Sequence, residues 1–384
     1  MTDTLVDRNI QIAGSIDEKA NNEAIIFSHR IVKSIAKRLL DEGATLVSMV
    51  DEEPRVCRNR RTSPARIFYW DVIETAHQYL EEHQNEIGER ILLRIVCTDQ
   101  SLDRIPYHRK RVWESLLDSK NIDLHNMPPG WTSSYLIRER QEELSDALVI
   151  LGGSQGIEQL VDLYISHGKS VLPLDVPLGS DVERRNGVAS KIFREAVSHP
   201  LRFFPNAPRN MSSNIQALTY SRWKNRPDGY SEQIVNFLCR YVKPQIFYVR
   251  LLNSKSKKFA SVELFFRNVV DPVVESKGYR FAEIGNALLR KPLLDLEIFS
   301  KLNKSSILIV DLTGMRPNCL VELGYGMGIG RKFIITARYT TKMPFDIDKI
   351  PTFFWNMRKN VNNSKQEFIE HWRINAGKQS ITDL

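Results

Sequence analysis

Twice in this chain of 384 residues a short, wholly apolar run passes into a glycine-bearing turn and then into helical spacing. The first is Ala147-Leu148-Val149-Ile150-Leu151, followed by Gly152-Gly153-Ser154-Gln155-Gly156. The second is Ile307-Leu308-Ile309-Val310, followed after Asp311-Leu312 by Thr313-Gly314-Met315-Arg316-Pro317-Asn318. A strand without apolar/polar alternation is buried on both faces, as in a parallel sheet covered by helices on either side. The neighbouring segments repeat the theme. Strand patterns at 9–14, 44–50, 90–97 and 170–174 alternate with helical ones at 28–42, 135–144 and 157–167, and Gly43 closes the first helix. Later come strands at 245–251, 306–312 and 332–337, with helices at 260–276, 294–302, 319–328 and about 364–376. The expectation is an α/β protein of two domains, each a Rossmann-like (flavodoxin-like) parallel sheet flanked by helices, at 1–205 and 244–384. Residues 206–243 are polar before a helical stretch that Pro244 stops. They read as a linker and connecting helix.

Size and composition agree with two cores, since 42% of residues are hydrophobic. The apolar runs are far shorter than the roughly 20 residues of a membrane span, and the amino terminus has no apolar signal core, so a cytoplasmic protein is expected. Cys57, Cys97, Cys239 and Cys319 are scattered singly and the histidines are dispersed, which predicts neither disulfides nor a metal site. The formal charge of +8 suits an anionic partner. It is interleaved with acids, so a phosphate-bearing small molecule fits it at least as well as nucleic acid.

In open α/β sheets ligands bind beyond the carboxyl ends of the strands. Two turns of the first domain fall there. Gly14-Ser15 joins a glycine, which admits close approach of backbone, to a hydroxyl donor. Gly152-Gly153-Ser154 opens a helix whose first-turn N–H groups would face an anion, with Glu158 just beyond. The arginine run Arg55, Arg58, Arg60, Arg61 and Arg66 follows the second strand, on the same rim, where guanidinium groups would clamp phosphate. The ordinary alternatives are packing turns and a solvated basic loop.

The segments IQIAGS, GATLVS and DALVILGGSQGIEQLVDLYISHGKSVLPLDVPLGS resemble the SLOG superfamily, within it the branch associated with Sir2 and TIR effectors, over nearly all of 9–205. The resemblance implies a pocket for a signalling nucleotide derived from ADP-ribose, held by Gly14, Ser15, Arg58, Arg60, Arg61, Gly152, Gly153, Ser154 and Glu158. Catalytic SLOG relatives, the cytokinin-activating phosphoribohydrolases, read PGGxGTxxE. Here Leu151 replaces the proline, Ile157 the threonine, and Leu160 stands where the catalytic glutamate belongs, with Glu158 out of register. Binding without turnover is implied.

The second domain carries a sharper pattern. Asp311 ends the apolar strand, Thr313-Gly314 turns, and the helix beginning at Pro317-Asn318 presents Glu322. Gly324, Gly326 and Gly328 each cost about 1 kcal/mol inside a helix, so close approach of a ligand or strand is expected there. A carboxylate at this place suits glycosidic chemistry, in which it stabilises or captures a cationic ribose. The plainer alternative is a turn-capping Asp311 and a surface Glu322.

The stretch DLTGMRPNCLVELGYGMGIGRKFIIT resembles the TIR-like, nucleoside 2-deoxyribosyltransferase-like family closely over about 30 residues, and more loosely over 245–350. The resemblance implies Glu322 as nucleophile or cation stabiliser, with Asp311 and Asn318 as its catalytic companions. It further implies a substrate site at Tyr248, Arg250, Thr313, Gly314 and Tyr325. The first strand departs from the family's small loop by reading Tyr248-Val249-Arg250-Leu251-Leu252-Asn253, and Cys319-Leu320 replace a usual stacking position.

Nicotinamide leaves NAD as a neutral base without a general acid, whereas a nucleoside base usually needs protonation. With one carboxylate pair in view, NAD is favoured as a substrate, with no cofactor. The whole then reads as a defence-type effector: a cyclic ADP-ribose-like messenger bound by the first domain alters assembly of a homo-oligomer and activates NAD cleavage by the second. The alternatives are a deoxyribosyltransferase or nucleosidase, or a non-catalytic nucleotide-binding scaffold.

Overall fold

The computed structural model describes residues 5–375 except 7, 57–62, 89, 129, 131–132, 180–186, 206–207, 209, 243–244, 252–254, 282–297, 300, 303–304 and 359. The chain forms two compact units, Met1–Val242 and Lys243–Leu384. Both are α/β with parallel sheets, as expected. The expected helix 294–302 lies largely outside the described residues.

In the first unit the strands are β1 (Asn9–Ser15), β2 (Thr45–Met49), β3 (Leu93–Cys97), β4 (Ile122–Asn126), β5 (Ala147–Gly152) and β6 (Ser170–Leu174). Their order is β4-β3-β2-β1-β5-β6, every pair parallel. All six residues of β5 are buried, which is why its sequence lacks alternation. The helix Asn22–Asp41 starts earlier than its apolar spacing suggests, because Asn21 caps it by accepting from the Glu23 N–H at 2.7 Å. Gly43, at φ +89°, ends it as the sequence predicts.

Residues 210–242 are not a linker. The helix Pro227–Tyr241 lies on the helix Asn22–Asp41 and buries Tyr230, Ile234 and Leu238 completely in the first unit's core. The Tyr230 hydroxyl donates to the Leu218 carbonyl at 2.8 Å, and Ser34 and Ser231 share a 2.7 Å hydrogen bond. Polar composition concealed the face because only every third or fourth residue of an amphipathic helix is apolar.

The second unit's strands are β7 (Gln245–Val249), β8 (Arg280–Phe281), β9 (Ile307–Asp311), β10 (Lys332–Arg338) and β11 (Thr352–Trp355). Their order is β11-β10-β9-β7-β8, again all parallel. Read in chain order this is the 2-1-3-4-5 arrangement of flavodoxin-like sheets. The helix expected over 260–276 changes register midway: Phe259–Phe265 is α-helical, Phe266–Val270 is π-helical, and Asp271–Ser276 resumes the α form. Pro272 has no N–H to donate, and the π turn absorbs the missing bond. Among the described residues no helix is long and apolar enough to cross a membrane.

Candidate functional site

Strand order locates the sites. In the first unit the chain runs outward from β1 to β4, then returns to place β5 on the other side of β1. The second unit does the same at β7 and β9. At such a switch the connections part, leaving a crevice beyond the strand ends.

In the first unit that crevice is a cavity of about 270 Å³. Its floor is Gln11–Ser15 from β1 and Ser48-Met49 from β2; Ile67, Phe68, Tyr69 and Ile137 supply apolar wall. Ser154, Gly156 and Ile157, from the start of the helix Gln155–Ser166, complete it. Gln11 is buried and fixed by the Tyr164 hydroxyl, which donates to its Oε1 at 2.7 Å.

Three lining residues carry charge: Asp51, Arg104 and Arg138. Burial pushes the Asp51 carboxyl above its ordinary range, against the Glu52 N–H and the guanidinium of Arg104, which donates to its Oδ2 at 2.7 Å. Arg138 is different. Its Nη1 donates to the Gln159 side-chain carbonyl at 3.0 Å, no carboxylate pairs with it among the described residues, and burial alone lowers its proton affinity. Neither Asp51 nor Arg138 is evident in the sequence, because their significance comes from a cavity assembled by distant strands.

The glycine turns have packing reasons for their residues. A Cβ on Gly14 would strike the Leu151 carbonyl of the adjacent strand. Gly152 and Gly153 lie at φ +57° and +86°, where side chains are strained. Gly14, Ser15 and Ser154 nonetheless line the cavity, whereas Gly152 and Gly153 shape the turn behind it. Glu158 is outside the lining and pairs with Lys191 at 3.1 Å. Arg58, Arg60 and Arg61 lie outside the described residues. Of their neighbours in the run, Arg55 donates to the Ser63 carbonyl at 3.0 Å, and Arg66 donates to the Ile16 carbonyl, just past β1, at 3.1 Å.

In the second unit the β7–β9 crevice collects Arg250, just past β7, and Thr313-Gly314, just past β9. Asp311 is 2% exposed and fully engaged. Its Oδ1 accepts from the Thr313 N–H at 3.1 Å, and its Oδ2 from Thr336 Oγ1 and Trp355 Nε1, each at 2.9 Å. Burial raises its pKa against those donors. Both Asp311 oxygens thus accept from donors that tie the end of β9 to β10 and β11. Thr313 Oγ1 in turn accepts from the Arg338 N–H at 2.9 Å. Gly314 and Met315 both have positive φ, +85° and +49°, the latter costly for a side chain. Lys258 lies across Gly314: a Cβ there would meet its Nζ at 3.4 Å.

Glu322 is half-buried on the helix Pro317–Gly328, one turn beyond the buried Cys319. Burial and then the charges of Glu322 and Asp311 push the Cys319 thiol up to about 12, so both carboxylates are felt at one point. Asn318 is exposed on the first turn, and Tyr325 packs on Phe299 with ring centroids 4.6 Å apart. Tyr248 and Arg250 are bound to the neighbouring helical segment, Tyr248 donating to Asp271 at 3.0 Å and Arg250 bonding Glu263. Of the three helix glycines only Gly326 meets a close approach, from Leu308 of β9; Gly324 and Gly328 face open space.

Two doubly wound parallel sheets, the first with a mixed polar and apolar cavity at its switch point, define a ligand-binding α/β protein. Residues 5–238 match the family described as "ATP nucleosidase Cap17-like, N-terminal", and the chain belongs to that family. The matched span corresponds to the first compact unit. No protein of curated function matches the chain. Among solved structures it is similar to the UDP-GlcNAc 2-epimerase of Methanocaldococcus jannaschii (12% identity, 87% of this chain and 93% of that one, TM-score 0.22). It is likewise similar to the UDP-GlcNAc 2-epimerase of Neisseria meningitidis (10%, 97% and 95%, TM-score 0.21). TM-scores this low carry no argument about function.

Proposed function

We propose that the chain is a nucleotide N-glycosidase in which the first unit binds a nucleotide at its β1–β5 crevice and the second cleaves an N-glycosidic bond at Glu322. The observation that carries the reading is the placement of Glu322, half-buried, on the helix that follows a strand end whose geometry Asp311 fixes through three donors. The family of the first unit takes its description from an ATP nucleosidase, which supports N-glycoside chemistry on nucleotides.

In the reaction, the bond between C1′ and the base nitrogen breaks and the electron pair leaves with the base. Positive charge develops on the ribose ring, and the Glu322 carboxylate stabilises it or adds to C1′. Water then completes hydrolysis. NAD is the favoured substrate because its base departs neutral; ATP requires a proton delivered to adenine. We further propose that a cyclic ADP-ribose-like messenger, bound by the first unit, activates the second by favouring one assembly of the chain, which requires tighter binding to that assembly.

A second reading places cleavage in the first unit. Asp51 is the only carboxylate lining the cavity among the described residues, and it sits beside an apolar wall suited to a base. Incubation with NAD and with ATP, with and without cyclic ADP-ribose, distinguishes these readings by chromatography of free nicotinamide and adenine. Base release that disappears in Glu322→Gln supports the second unit as the catalyst. Release that survives Glu322→Gln and disappears in Asp51→Asn moves it to the first. No release under any condition overturns both.

A further inference from the structure

The lining of the first-unit cavity has an uneven charge balance. Asp51 and Arg104 neutralise one another across 2.7 Å, and Arg138 remains. Its one hydrogen bond among the described residues goes to a neutral amide oxygen, that of Gln159. A half-buried guanidinium that lines a cavity without a counter-charge gains from an anion placed beside it. The backbone makes room for it. A Cβ on Gly156 would come within 2.9 Å of Arg138 Nη2, so the glycine is what lets the guanidinium lie against the first turn of the helix Gln155–Ser166. Phe68, Tyr69, Ile137 and Leu160 supply the apolar part of the same lining.

We infer that Arg138 is the phosphate-reading residue of this cavity, so that the first unit selects phosphorylated nucleotides over the corresponding nucleosides. The phosphate oxygens take the Nη groups in bidentate fashion, and the base takes the apolar side near Tyr69. The inference rests on the reading of this crevice as a nucleotide site. It places the anion contact on a residue that neither the glycine turns nor the arginine run suggested.

The test uses the full chain and two photoreactive probes, 8-azido-ATP and 8-azidoadenosine. Label is quantified on the tryptic peptide 67–90, which carries Phe68 and Tyr69, so binding at the second unit does not contribute. In the unaltered protein 8-azido-ATP should label this peptide at concentrations at least about tenfold lower than 8-azidoadenosine, the range of one charged bidentate contact. Arg138→Met should erase that preference and leave labelling by the nucleoside unchanged. Gly156→Ala, which keeps the charge but displaces the guanidinium, should reduce the preference without changing the melting temperature by more than a few degrees. Equal labelling by both probes in the unaltered protein, or an undiminished preference in Arg138→Met, overturns the role of Arg138 while the nucleotide site stands. Absence of label on the peptide from either probe overturns the site itself, and Arg138 with it.

Discussion

Side chains that look alike in a sequence do opposite work once their surroundings are known. Asp311 and Glu322 both belong to the second unit's motif, yet Asp311 spends its oxygens on Thr313, Thr336 and Trp355 while Glu322 stands on the helix face one turn past Cys319. Replacing Glu322 by Gln keeps shape and removes the charge that would meet a cationic ribose. Turnover should fall by about two to three orders of magnitude, while the protein still unfolds in a cooperative transition. A parallel assay of base release and thermal unfolding checks it, and undiminished release would remove Glu322 from the chemistry. Asp311→Asn should do the reverse. The amide turns an NH₂ toward donors that need an acceptor, at a cost of about 1–3 kcal/mol, measurable as a lower urea midpoint. Glu142 supplies the pH dependence. It is 2% exposed, and although burial opposes ionisation, Lys169 and His167 hold its carboxyl below the ordinary range. A lowered folded-state pKa contributes stability that is present above the unfolded value of about 4.3 and is lost as pH falls through the folded one. Glu142→Gln should therefore destabilise by about 3 kcal/mol at neutral pH, and the difference should shrink steadily below about pH 4.

At the scale of elements, the strand–turn–helix joints set the sites. Gly152 holds φ +57° where β5 ends, and a Cβ there would come within 2.9 Å of Leu178 Cβ as well as into the Ser15 carbonyl. Gly152→Ala should cost about 2 kcal/mol, seen as a melting temperature lowered by roughly 4–8 °C, and should weaken nucleotide labelling by moving β1 against β5. These joints were the most legible part of the sequence, because a doubly buried strand has no polar alternation and a tight turn demands glycine. The motif around Asp311 was readable for the same reason. The edges were not: β4, reading Ile-Asp-Leu-His-Asn, pairs on one side only, and its apolar/polar alternation is too short to stand out from the polar segments around it. The edge strands β8 and β11, two and four residues long, are too short to show a period at all. The cavity was half legible. Its glycine turns were visible, but Asp51 and Arg138 arrive from segments far apart in sequence, and their unequal pairing is a property of the assembled crevice.

For the molecule as a whole, the division into units decides what can fold alone. The polarity of 206–243 suggests that the first unit ends near residue 205, whereas the core extends to Val242. Met211, Ile215, Leu218, Tyr230, Ile234, Val235 and Leu238 are all nearly or wholly buried, and Phe27 of the first long helix meets Tyr220 and Tyr230 edge-on or tilted. Burying one such side chain is worth about 1.5–3 kcal/mol, so removing them together forfeits at least about 10 kcal/mol. That is comparable to the typical net stability of a domain, about 5–15 kcal/mol. A fragment of residues 1–242 should therefore unfold in one cooperative transition and bind nucleotide at the β1–β5 crevice. A fragment of residues 1–205 should lack a cooperative transition and bind the dye ANS on its exposed apolar face. Near-ultraviolet circular dichroism on heating separates the two. Cooperative melting of the shorter fragment would show that the helix Pro227–Tyr241 is an accessory layer and that the division belongs at 205 after all.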